Sequence, residues 1–108
     1  MQFHENFEWD QGKAAKNLKK HRVSLEDAAY VLSDQEADVY HIEEYDEKHS
    51  ADEDRYLTTA SHPDDRSIVL RIAWADASTR RHKITRIISA RAATPAEAAQ
   101  YAKEISAK

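Results

Sequence analysis

The sequence has no cysteine, a single glycine (Gly12) and two prolines (Pro63 and Pro95) in 108 residues. Lack of cysteine excludes disulfides, thiolate metal sites and a cysteine nucleophile, and it suits a reducing compartment. With so little glycine there is no phosphate-cradling loop and no Gly-x-Ser-x-Gly turn. No Gly/Ser linker, internal repeat or low-complexity tract divides the chain, so residues 1–108 read as one domain. No window approaches the roughly 20 apolar residues that a bilayer span needs. Met1-Gln2-Phe3-His4-Glu5 shows no basic stretch followed by an apolar run, so no secretory leader is expected and the expected location is the cytoplasm. His4, His41, His49, His62 and His82 show no metal-ligand spacing, and there is no HExxH. Asp52-Glu53-Asp54 reads as a solvated loop rather than a cation site, so neither a metal nor a cofactor is expected.

What is present is charge, unevenly spread. The net charge is -4. Residues 1–32 balance at five acids and five bases, residues 33–66 carry twelve acids against three bases, and residues 67–108 carry three acids against eight bases. Taken over the whole chain this balance discourages nucleic-acid binding, whereas the basic C-terminal segment taken alone permits it.

Local signals outline the elements. Asp10 is placed to cap a helix that runs to about residue 21, with Lys16, Lys19, Lys20 and His21 at the end where the helix dipole favours positive charge. Ser24 caps a second helix from 25 to about 32, with Leu25, Ala28, Ala29 and Leu32 on one face. The pattern then changes to period two. Residues 39–44 form a weak strand, 45–54 an acidic loop, 55–60 a second strand and 61–65 a turn. Residues 67–75 form the strongest strand, with Ile68, Leu70, Ile72 and Trp74 on one side and Val69, Arg71 and Ala73 on the other. A hairpin loop over 76–81 leads to a last strand from 82 or 83 to about 91. Thr94-Pro95-Ala96-Glu97 combines a capping box with proline at the first helical position and opens a helix to about residue 105. The expected fold is α+β in the order α-α-β-β-β-β-α: a four-stranded antiparallel meander with helices from both chain ends covering one face, the other face being open to a partner or substrate.

Several pieces in this order resemble the BrnT-type toxin family: Phe7-Glu8-Trp9-Asp10 with Lys13 and Asn17, Lys20-His21 before Val23-Ser24, Val31-Leu32-Ser33-Asp34, and Asp54-Arg55-Tyr56. The most specific is Arg86-Ile87-Ile88-Ser89-Ala90-Arg91-Ala92-Ala93-Thr94, with Tyr101 seven residues on. Two family glycines are replaced, by Arg22 and within Thr58-Thr59-Ala60. Arg22 puts in question a left-handed turn that glycine would ease, and both changes weigh against catalytic competence. The resemblance implies a RelE-like ribonuclease fold that cleaves RNA without metal, by attack of a ribose 2′-hydroxyl on the adjacent phosphate. It also implies a ribbon-helix-helix antitoxin in a heteromeric complex, a heterotetramer among its forms, with DNA reached only through that partner.

Such cleavage needs a proton acceptor, a proton donor and positive charge at the phosphorane-like transition state. Arg86 and Arg91 suit the last role, because a guanidinium matches phosphate oxygens and stays charged. Five residues apart on a regular strand they would point to opposite faces, Arg86 with Ile88 and Ala90, Arg91 with Ile87 and Ser89. Only a bulge or an early strand end would let them share a site. Arg55 would add a third charge or form a salt bridge with Glu53 or Asp54. Lys20 and His21 end the first helix; His21 is either a proton carrier or a helix-terminating residue bonded to carbonyls. Ser89 is a candidate substrate contact, and Tyr101 is either that or core. The alternative function is a non-enzymatic module that binds the antitoxin and modulates its DNA binding.

Overall fold

The computed structural model describes residues 2–4, 6–33 and 40–107, with the backbone path alone at 2–4. Its elements are β1 (Gln2–His4), β2 (Phe7–Trp9), α1 (Gln11–His21), α2 (Leu25–Ser33), β3 (Ile42–Tyr45), a 3-10 turn at Glu47–His49, β4 (Arg55–His62), β5 (Asp65–Asp76), β6 (Thr85–Ala92) and α3 (Pro95–Ser106). The sheet order is β1-β2-β6-β5-β4-β3.

The α+β class stands, with three α-helices among the described residues, and β3 to β6 form an antiparallel meander. The expectation of only four antiparallel strands is corrected. β2 adds in parallel to β6, Phe7 opposite Thr85 and Glu8 opposite Arg86, giving a mixed sheet of five strands that β1 extends at its edge. A strand of three residues shows no readable alternation, and parallel pairing with a strand far along the chain leaves no local trace. The meander strand expected to begin at Val39 is described from Ile42; Val39 and Asp34 lie outside the described residues. The turn expected over 61–65 narrows to Pro63-Asp64, because β4 runs on to His62 and β5 starts at Asp65.

α1 and α2 pack on one face. Phe7, Trp9, Leu25, Ala28, Ala29, Val31, Ala60, Leu70, Ile72, Ile87 and Ala90 form the core there. Asn17 fixes α1 on β6: its side-chain amide donates to the carbonyls of Val23 and Ala90 and accepts from the Ala90 amide. Asp10 caps α1 by accepting from the Lys13 amide, and backbone N–H groups of Lys13 and Gly12 hold its carboxyl below the ordinary range. Ser24 caps α2 through the Asp27 amide.

α3 does not join them, which corrects the expectation that both terminal segments cover one face. Successive strand residues alternate, and it is Ser61, Arg71 and Arg91, alternate to the core residues Ala60, Leu70, Ile72 and Ala90, that meet α3. Glu97 of α3 pairs with Arg71 and Arg91, and the Tyr101 hydroxyl accepts from the Ser61 amide. The amphipathic pattern of α3 specifies that one side is buried, not on which sheet face.

The junction after α1 answers the question raised by Arg22. Its φ of 60° and ψ of 25° are left-handed, and its N–H donates to the Leu18 carbonyl at 2.9 Å. The turn is therefore made without glycine, at a cost of about 1 kcal/mol for a residue with a Cβ. Arg22→Gly should raise unfolding stability by about 0.5 kcal/mol, the relief being partly offset by the greater freedom of glycine in the unfolded chain. Urea denaturation would show a higher midpoint; an unchanged or lower midpoint would mean that the turn carries no strain.

Candidate functional site

The residues that could meet a phosphodiester lie on the α3 face, and a bulge puts them there. Along β5 and β6 the register passes from Ala73↔Ser89 to Trp74↔Ile87, so Ile88 is an extra residue. That insertion reverses the alternation between Arg91 and Arg86. The regular-strand expectation, with the two on opposite faces, is corrected: Arg86, Ser89 and Arg91 share one face, opposite the buried Ile87 and Ala90. Two rows of side chains result. One runs Glu8, Arg86, Ala75, Arg55 across β2, β6, β5 and β4; the other runs Arg91, Arg71, Thr59, Ile42 across β6, β5, β4 and β3. Four residues of β5 separate the rows, about 13 Å at the rise of a strand. Ser89, Ala73 and Leu57 form the floor between them.

In the first row Arg86 donates from Nε to Glu8 at 3.0 Å and from Nη1 to Glu53 at 3.1 Å. Glu53 also lies 3.6 Å from the Arg55 guanidinium. Arg55 Nε is buried without a hydrogen-bond partner. Glu8 is 9% exposed: Phe7 and Trp9 enter the core and alternation turns Glu8 to the arginine face. Glu53 comes from the loop over residues 46–54, whose base is held to β4 by Ser50, which donates to the Asp46 carbonyl and accepts from the Arg55 amide. The salt bridge weighed for Arg55 from the sequence is thus made, and Arg86 shares its acid.

In the second row Arg91 makes a two-pronged pair with Glu97, at 2.7 and 3.0 Å. Arg71 reaches the same carboxylate through Nε at 3.2 Å and donates from Nη1 to Glu44 at 3.1 Å and to Thr59 at 2.9 Å. The hydrogen bonds from Arg91, joined by the Thr94 amide and the charge of Arg71, hold Glu97 down at about 2. Glu97 in turn raises Arg91 above its ordinary value. A carboxyl depressed in this way contributes stability that is fully present above about pH 4.5, its unfolded value, and is lost as the pH falls towards 2.

Ser89 lies between the two rows. Tyr101 is 3% exposed; its hydroxyl donates to the Tyr40 carbonyl and meets the Ser61 amide and hydroxyl, so it ties α3 to β4 rather than facing the floor. Lys20 and His21 are not brought to the arginines. They end the helix that Asn17 fixes to the opposite face of β6. Among the described residues no hydrogen bond or ion pair joins them to Arg55, Arg86 or Arg91. No group of three or more His, Asp or Glu side chains among the described residues could hold a metal ion. No helix of the described residues is long and apolar enough to cross a membrane.

Sequence reasoning passed over Glu8 and Arg71 as site residues. Glu8 is hidden because its partner lies 78 residues away. Arg71 had a visible signal, being the one charged residue inside the otherwise apolar run 68–75.

A family model described as the ribonuclease toxin BrnT of a type II toxin–antitoxin system matches residues 9–97, a span that takes in Arg55, Arg71, Arg86, Arg91 and Glu97. No curated protein matches the chain.

Proposed function

The chain belongs to the BrnT family of ribonuclease toxins of type II toxin–antitoxin systems, and from that membership we propose that it is a metal-independent endoribonuclease acting through Glu8, Arg86 and Arg55. The observation that carries this reading is the row in which a largely buried carboxylate and two guanidiniums from three strands share one face. A scissile phosphate entering there would displace Glu53 and take its place between Arg86 and Arg55. Glu8, beside Arg86, would accept the proton of the ribose 2′-hydroxyl. The 2′ oxygen then bonds to phosphorus, the bond from phosphorus to the 5′ oxygen breaks, and that oxygen takes a proton from solvent water as it leaves. The two arginines would carry the charge that grows on the non-bridging oxygens. The products are a 2′,3′-cyclic phosphate and a 5′-hydroxyl.

Membership of a type II family implies an antitoxin partner. Its ribbon-helix-helix class, its arrangement with the toxin in a heteromeric complex and its action in the cytoplasm belong to the same proposal. The acidic stretch between residues 33 and 66 is complementary in charge to a basic DNA-binding partner.

A second reading has one specific observation in its favour. Arg55, Arg71, Arg86 and Arg91 are each already paired with a carboxylate. A face neutralised in this way suits a binding module that never opens to RNA. The purified chain incubated with RNA at neutral pH in the presence of a chelator separates the two. Cleavage is the expected result, and intact RNA beside well-folded protein would favour the module.

A further inference from the structure

We propose that Arg71 and Arg91 form a second phosphate subsite for single-stranded RNA, which Glu97 occupies in the free chain. The inference rests on the RNA-binding part of the ribonuclease reading of the same face and extends it to two arginines that reading does not use.

Arg71 is the starting point. It interrupts an apolar strand between the core residues Leu70 and Ile72, and its side chain is only 17% exposed. Ordering a guanidinium there costs desolvation that an apolar residue would avoid. Its partners come from other elements: Glu97 from α3, Glu44 from β3 and Thr59 from β4. Arg91 stands opposite it on β6, and the two guanidiniums converge on the single carboxylate of Glu97. A fork of N–H donors that fits a carboxylate also fits two oxygens of a phosphate.

The arrangement repeats that of the first row. There Arg55 and Arg86 converge on Glu53, which a loop supplies; here Arg71 and Arg91 converge on Glu97, which α3 supplies. Both acids come from outside the strands that carry the arginines. With them in place, and Glu8 and Glu44 counted, each row sets two carboxylates against two arginines; with them displaced both rows present net positive charge along one face. The rows lie about 13 Å apart, a span of a few nucleotides, across a floor of small and medium side chains. Beside Arg71 opens a cavity of about 310 Å³ whose lining joins Thr59, Gln100 and Tyr101 to the carboxylates of Glu44, Glu97 and Glu104; with Glu97 displaced it gives a nucleotide room next to the phosphate. Glu44 is about half exposed, so it can turn to solvent when a phosphate takes its place on Arg71.

Equilibrium binding of a short 2′-O-methylated single-stranded RNA, which lacks the attacking hydroxyl, tests the subsite. Arg71→Gln should weaken binding about tenfold and lower the slope of log affinity against log salt by about 0.7, the value of one phosphate contact to a single strand. Glu97→Gln should act in the opposite direction and tighten binding several-fold. It decides the matter alone if thermal melting shows Arg71→Gln to be unfolded. Wild-type affinity and slope in both variants, with binding weakened in Arg86→Gln, would overturn the subsite and leave the ribonuclease reading intact. Binding that responds to both variants in a chain that cleaves no RNA would support the subsite and overturn that reading. A wild-type chain that binds no RNA would overturn both.

Discussion

Arg86→Ala should slow RNA cleavage by about 10²- to 10³-fold, the loss found when one preorganised donor to transition-state charge is removed. The expectation follows from position. Arg86 lies at the centre of the first row, touching Glu8 on one side and Glu53 on the other. It is the guanidinium able to order the carboxylate and hold the phosphate at once. Overproduction of the wild-type chain without its partner should arrest growth, and the variant should relieve the arrest. The protein should remain folded though less stable, because Arg86 is 38% exposed at the side chain and outside the core, while the largely buried Glu8 loses its guanidinium partner. Single-turnover rates with excess enzyme, beside a thermal melt, check both halves. A folded variant that cleaves at the wild-type rate would remove Arg86 from the site.

Glu8→Gln is expected to have an effect as large or larger, about 10²- to 10⁴-fold on kcat, because it removes the proton acceptor while preserving size and a hydrogen-bonding oxygen. Affinity for RNA should hold or rise, since a negative charge beside the phosphate is lost. That split between kcat and KM separates a chemical role from a structural one. A glutamate that only orients Arg86 would lose affinity and rate together. Glu8→Asp, which keeps the charge but withdraws it by one methylene, should recover part of the rate.

The sequence was most legible where structure is local. The Asp10 and Ser24 caps, the Thr94-Pro95-Glu97 capping box and the apolar run of β5 each carry their cause within a few residues, and each stands where expected. What could not be read depends on distant pairing. β2 is a strand because β6 offers it an edge, and three residues cannot announce that. The extra residue at Ile88 is a property of how β6 lies against β5, and in the sequence Arg86 and Arg91 look like any pair five apart. The consequence for the site is direct. Arg55, Arg86, Ser89 and Arg91 could be named as candidates by residue type, whereas their sharing a face, and the carboxylates that meet the arginines, came only with the fold. Lys20 and His21 were attractive for their chemistry, but the buried Asn17 that fixes their helix to the far side of β6 gives no sign of that role in the sequence. Arg22 is the reverse case: a substitution that looked disruptive is absorbed in a left-handed turn.

The central claim is that the row of Glu8, Arg86 and Arg55 cuts RNA by attack of the neighbouring 2′-hydroxyl. The most direct test is end-group analysis of RNA treated with the wild-type chain and with Arg86→Ala, side by side in chelator. The account predicts fragments with 2′,3′-cyclic phosphate and 5′-hydroxyl ends from the wild type and almost none from the variant. Fragments with 5′-phosphate ends, or equal cleavage by both proteins, would contradict it.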